Sequence, residues 1–233
     1  MPKIFKMKNT FIAALTALFL VITLPGQNKV SGQALANATD SLSYCFGLLI
    51  GNNLYTQGVK DVNQEQFNSG FNQGYANQEP AISLEAANIY VQDYFNKQIS
   101  DESKMNMEKS AAFLAENKTK DGVITTASGL QYKIITPGTG EFPQATDQVR
   151  VHYHGTFTDG KVFDSSIDRG EPIVFGVNQV IPGWTEALQL MQPGAKWMLF
   201  IPPDLAYGEN GAGGVIGPNM ALVFEVELIE IVK

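Results

Sequence analysis

"VRVHYHGTF", residues 149–157, sets apolar Val149, Val151 and Tyr153 against polar Arg150, His152 and His154 in strict alternation. A period of two is that of a β-strand whose successive side chains point to opposite faces, so one face of this strand is apolar and packs inward. The chain's two histidines then share the wetter face with Arg150. Zinc takes three or four protein ligands, and no third ligand stands beside this pair, so solvated strand residues are expected and no metal site. Tyr153, lying between them, turns to the interior.

The same grammar extends outward from this strand. Leu130, Tyr132 and Ile134 alternate with Gln131 and Lys133, and Asp159-Gly160 is a hairpin turn signal. "WTEALQLM" gives one short helix with Trp184, Leu188 and Met191 on one face; "ALVFEVELIEIVK" closes the chain as a strand. These elements predict an antiparallel sheet with one face packed on a short helix. The region is rich in aromatics, of which Trp197 and Phe200 are read as core. It holds no G-x-S-x-G elbow, no nucleotide-binding glycine loop and no H-E-x-x-H, so no cofactor is expected.

The preceding half is written differently. No glycine or proline occurs between Ala81 and Asp121, whereas 15 of the 22 glycines and 8 of the 11 prolines follow Asp121. Asp40-Ser41 can cap a helix with Leu42, Cys45, Phe46, Leu49, Ile50 and Leu54 at helical spacing. Asn63, with Gln66 three residues on, resembles a capping box before the stripe Phe67, Phe71 and Tyr75. Ser83 opens a third helix to about Asn117, roughly 50 Å long. Its "SDESKMNMEKS" middle is mostly polar all round and reads as a solvated stalk. Two short helices and the start of a third make a small core, so dimerisation through residues 40 to about 99 is expected, an intrachain mini-core being the alternative.

Lys3, Lys6 and Lys8 precede an apolar run, Phe11 to Leu24, and "SGQALANA" offers cleavage after Ala34, Ala36 or Ala38. This is a secretory signal pattern over residues 1–36, and the run is short for a membrane span of roughly 17–25 residues. An exported protein, periplasmic or secreted, is expected, with a retained N-terminal anchor as the alternative. Removing the leader leaves 12 basic against 23 acidic residues, a net charge of −11 that disfavours nucleic acid as a partner. Cys45 is the single cysteine, which excludes an intrachain disulfide; its apolar neighbours predict burial.

"VHYHG", "FDSS", "VIPGW", "IPPDLAYG" and "LVFEVEL", in this order and spacing, closely resemble the FKBP family of peptidyl-prolyl cis-trans isomerases over residues 129–233. The helical half looks like the dimerisation domain of secreted bacterial members, the macrophage-infectivity-potentiator type. The resemblance implies an α+β chain. An N-terminal all-helical dimerisation domain with a long stalk helix (37–120) precedes a C-terminal antiparallel half-barrel sheet wrapped around a short helix (121–233). It further implies a cleft for a substrate proline lined by Tyr153, Phe163, Asp164, Phe175, Val180, Ile181, Trp184, Tyr207, Ile216 and Phe224. Arg169 would pair with Asp164, and Trp184 would form the floor. Ile173, Ala212 and a "GVNQV" connection two residues short depart from the eukaryotic form, and these changes leave affinity for the family's macrolide inhibitors open.

Rotation about X-Pro needs no nucleophile. The expected roles are catalytic for Tyr153, Asp164, the Ile181 N–H and the Tyr207 hydroxyl. Phe163, Arg169, Phe175, Val180, Trp184, Ile216 and Phe224 bind substrate. Asp164 has a purely structural role, bracing Arg169, as its alternative. Proline-containing unfolded or partly folded chains are the expected partners. A dimeric holdase, binding unfolded chains without turnover, is the competing function.

Overall fold

The computed structural model describes residues 35–232, so nearly all of the expected 1–36 leader lies outside the described residues. Among the described residues, no helix is long and apolar enough to cross a membrane. Two compact units divide between Gln78 and Glu79.

The first unit holds α1 (Ala38–Thr56) and α2 (Gln64–Tyr75). Helix α1 starts earlier than its sequence suggests. Asn37 is the cap, its side chain accepting from the Asp40 N–H at 2.9 Å, which places Asp40 in the first turn beside the helix's positive end. Asn63 caps α2 as expected, accepting from the Gln66 N–H at 3.1 Å. No side chain of either helix is buried, although both carry apolar stripes. Cys45 is exposed with the rest of α1, against the expectation of burial, because nothing among the described residues covers that face.

The second unit begins with α3 (Leu84–Asn117), capped by Ser83. There follow β1 (Val123–Thr125), β2 (Gln131–Thr136), β3 (Gln148–Phe157), β4 (Val162–Ser165) and the one-turn α4 (Ser166–Arg169). After β5 (Ile173–Gly176) come α5 (Pro182–Leu190), β6 (Lys196–Ile201) and β7 (Leu222–Val232). All pairings are antiparallel in the order β1-β2-β6-β7-β3-β4, with β5 also on β3. The half-barrel wraps α5, whose Trp184, Ala187 and Leu188 bury against Val149, Val151, Leu199 and Val226. Full burial of each large side chain contributes about 1.5–3 kcal/mol. Gly183 lets the helix sit that close, since a Cβ there would lie 2.6 Å from Ile201 Cγ2.

The polar middle of α3 is not simply solvated. Asn106, Ser110 and Asn117 are buried, and Asn117 Nδ2 donates to Gln131 Oε1 at 2.9 Å. Gln131, expected on the wet side of β2, is therefore buried, while Ile134 at the strand's far end is exposed. Phe200 likewise turns away from the core that holds Trp197 and meets Phe113 of α3, ring centroids 6.1 Å apart. Helix α3 thus covers part of the outer sheet face, through groups whose hydrogen bonds replace water.

Candidate active site

Strand β3 sets the centre of the site. Its alternation turns Tyr153 inward, 7% exposed, and pairs Gly155 with Phe224 of β7 on one side and Asp164 of β4 on the other. A Cβ at Gly155 would lie 2.8 Å from both Phe163 Cζ and Phe224 Cε1, so only glycine lets these two rings approach across the strand.

The rings converge on Trp184 at the start of α5. Its centroid lies 5.2 Å from that of Phe224 at 87°, 5.5 Å from Tyr153 at 83° and 5.6 Å from Phe175. Phe163 continues the array edge-on to Phe224 at 5.4 Å, and Phe157 backs Phe163 at 5.0 Å. Near-perpendicular pairs are the favoured arrangement for aromatic quadrupoles. Ile216 is buried in the same cluster; Val180 and Ile181 pack against it half-buried. Tyr207 stands apart, 39% exposed and outside the ring array, at the rim.

Three polar side chains close one end. The Tyr153 hydroxyl donates to Asp164 Oδ2, and Arg169 donates to Asp164 Oδ1 and, at 2.8 Å, to the Tyr153 oxygen. The guanidinium carbon lies 5.6 Å from the Tyr153 ring centroid. Arg169 is delivered by α4, which Ser165 caps and Gly170 ends at φ 81, a left-handed conformation that glycine adopts without strain. Burial pushes the Tyr153 phenol up, and its bond to Asp164 pushes the same way. Burial also works against the Asp164 carboxylate, but the donors Tyr153 and Arg169 outweigh it and hold the group below the usual carboxylate range. Burial, then the Asp164 charge, pushes the Tyr207 phenol up.

Serines from "FDSS" fix the tyrosine, and the histidines brace the serines. Ser166 Oγ accepts from the Tyr153 N–H at 2.8 Å and faces the Tyr153 carbonyl at 3.2 Å, with His152 Nδ1 3.1 Å away. His154 Nδ1 lies 2.9 Å from Ser165 Oγ. Both histidines are half-buried rather than freely solvated, because the β4–α4 corner folds back over that face of β3. Gly155, Ser165 and Ser166 were not singled out from the sequence, although "VHYHG" and "FDSS" contain them.

Two donors are left over in the cleft. Ile181 caps α5 with Pro182 following, and its N–H has no acceptor among the described residues. The buried Trp184 Nε1 is likewise unpaired. Packed aromatic rings with two unpaired donors beside them offer apolar contact and hydrogen bonds to a chain segment.

This is the architecture of a proline-directed isomerase, and the comparisons agree. The family model for FKBP-type peptidyl-prolyl cis-trans isomerase matches residues 139–229, and that for the domain amino terminal to it matches residues 39–134. The FKBP-type 22 kDa peptidyl-prolyl cis-trans isomerase of Escherichia coli is 44% identical over 214 residues, covering 90% of this chain and 100% of that protein. Outer membrane protein MIP of Legionella longbeachae is 42% identical over 207 residues, 86% of this chain and 88% of its own. The crystal structure of FkpA from Escherichia coli superimposes with a TM-score of 0.67 at 34% identity, over 85% of this chain and 98% of that one. The chain belongs to the FKBP-type peptidyl-prolyl cis-trans isomerases.

Proposed function

We propose that isomerisation takes place in the hollow formed by Tyr153, Phe163, Phe175, Val180, Ile181, Trp184, Ile216 and Phe224. The observation that carries this is the convergence of aromatic rings from β3, β5 and β7 on Trp184, with Phe163 of β4 edge-on to Phe224. The barrier to X-Pro rotation, ~18–20 kcal/mol, comes from amide resonance, which water supports by solvating the planar dipole. Ring walls that exclude water withdraw that support, and the pyrrolidine ring rests on Trp184. The free Ile181 N–H and the Tyr207 hydroxyl at the rim take substrate carbonyls and fix the chain on either side of the twisting bond. Asp164, kept ionised by Arg169 and aligned by Tyr153, places fixed charge beside that bond. Each tenfold of rate needs only about 1.4 kcal/mol of such preorganised stabilisation.

In a protease-coupled assay on a proline tetrapeptide, Tyr153→Ala, Phe163→Ala and Asp164→Ala are each expected to lower kcat/KM by roughly tenfold or more. Wild-type rates in all three would refute the cleft.

The substrates inferred are proline-containing unfolded or partly folded chains met after export. The leader read over residues 1–36 and the similarity to outer membrane protein MIP of Legionella longbeachae support export; a periplasmic or secreted location follows if the leader is removed. Residues 37–120 serve as a dimerisation domain and stalk, and 121–233 as the isomerase domain. The uncovered stripes of α1 and α2, and an apolar groove of about 270 Å³ between them lined by Ile50, Leu54, Val59 and Phe67, support a homodimer.

A further inference from the structure

The segment between β6 and β7 that supplies Tyr207 and Ile216 has glycine at 208, 211, 213, 214 and 217, half of the positions from 208 to 217. So glycine-rich a stretch loses much conformational freedom on ordering and has few side chains with which to hold itself. Its order comes from α3. Ser110 Oγ, on a residue 5% exposed, accepts from the Ala221 N–H at 2.8 Å and donates to the Asn219 carbonyl at 2.9 Å. One turn earlier, Asn106 Nδ2 donates to the Pro218 carbonyl at 2.9 Å, and two turns earlier Ser103 Oγ accepts from Asn219 Nδ2 at 2.8 Å. Residues 103, 106 and 110 fall on one stripe of a helix, so α3 presents a single polar seam to residues 218–221.

The seam reaches the cleft through the backbone. Asn219, in the left-handed region at φ 54, donates its N–H to the Gly208 carbonyl at 2.8 Å, directly after Tyr207. Ala212 and Ile216 exchange bonds at 2.8 and 3.0 Å, which closes the loop's tip. Gly217 lies against α3, where a Cβ would be 2.6 Å from Glu102 Oε1. A helix acting only as a spacer would gain nothing from burying hydroxyl and amide groups, which are costly unless every one is paired.

We infer that the Ser103–Asn106–Ser110 seam of α3 is a latch that sets the position of the Tyr207–Ile216 rim, and that Ser110 and Asn106 are positioning residues for the isomerase reaction. This rests on the cleft proposed above being the site of reaction. Releasing the latch frees the rim, which weakens substrate binding while leaving the Tyr153, Asp164 and Trp184 end intact.

The test uses the full chain with Ser110→Ala, Asn106→Ala and, as a cleft control, Phe163→Ala. Each latch variant is expected to raise KM for a proline tetrapeptide by roughly three- to tenfold, the worth of about one net hydrogen bond, with kcat within about twofold. Hydrogen–deuterium exchange at Ile216, Asn219 and Ala221 should quicken while that of Val151 and Val226 is unchanged. Wild-type KM in Ser110→Ala, with Phe163→Ala impaired, overturns the latch and leaves the cleft standing. Wild-type activity in Phe163→Ala together with Tyr153→Ala and Asp164→Ala removes the cleft on which the latch depends. Faster exchange throughout the sheet in both latch variants also overturns the inference, because the bonds would then hold the whole fold and not the rim.

Discussion

Gly155 shows how a residue without a side chain shapes an aromatic site. Phe163 and Phe224 close over its Cα from adjoining strands, and a methyl there would meet ring atoms at 2.8 Å on both sides. Neither ring can retreat freely, since Phe163 leans on Phe157 and Phe224 on Trp184. Gly155→Ala is expected to cost about 1–3 kcal/mol of stability by overpacking. It should lower kcat/KM by roughly tenfold, because the displaced rings are walls of the proposed cleft. Thermal unfolding and the tetrapeptide assay measure the two effects separately. Asp164 makes a second prediction at this scale. Its folded pKa lies below the ordinary 3.8, held there by Tyr153 and Arg169 against the effect of burial. A depressed carboxylate contributes stability that is fully present above the unfolded pKa and is lost as pH falls through the folded one. The stability gap between the wild type and Asp164→Asn should therefore be constant above pH 3.8 and close only below it. A gap that closes well above that value would mean the carboxylate is not held down by its donors. Because the Asp164 side chain is 45% exposed, solvent screening keeps the gap small.

Individual elements differ in how openly their sequences declare them. Strand β3 is written in its alternation, and Asn63 and Ser83 cap their helices where hydrogen-bonding side chains precede an apolar period. The docking of α3 left no such trace. A face buried through Asn106, Ser110 and Asn117 has no hydrophobic period, so it reads as solvated, and the partners of Asn106 and Ser110 lie more than a hundred residues away. Phe200 misleads for the converse reason, being an apolar residue on the outer face that awaits a helix from elsewhere in the chain. The site divides in the same way. Alternation alone turned Tyr153 inward, whereas the convergence of Phe163, Phe175, Trp184 and Phe224 came from motif resemblance. No local pattern states which rings from separate strands will meet. His152 and His154 were placed on the right face, but their serine partners arrive only when β4 and α4 fold back.

At the scale of the molecule, the isomerase unit is complete in one chain and the N-terminal helices are not. Tyr153, Trp184 and Phe224 are each at most 7% exposed, whereas Leu49, Phe67 and Phe71 are 53%, 41% and 50% exposed. An apolar surface of that kind is stable in water only when covered, and a second copy brings a matching surface by symmetry. Covering roughly 800 Å² per partner would meet the usual size of a specific interface. Two of the proposed clefts joined in such a dimer would hold an unfolded chain at more than one proline, raising retention without changing either site. The full chain should accordingly sediment as a dimer at micromolar concentration, and Leu49→Asp with Phe71→Asp should sediment as a monomer. Because no residue of the cleft is altered, that monomer should keep tetrapeptide kcat/KM within about twofold of wild type. Its catalysis of refolding of a proline-limited protein substrate should fall by roughly tenfold or more, the share owed to linked sites. Equal loss on both substrates would show that the helices support the fold of the cleft itself. A wild-type chain that sediments as a monomer would remove the dimer altogether.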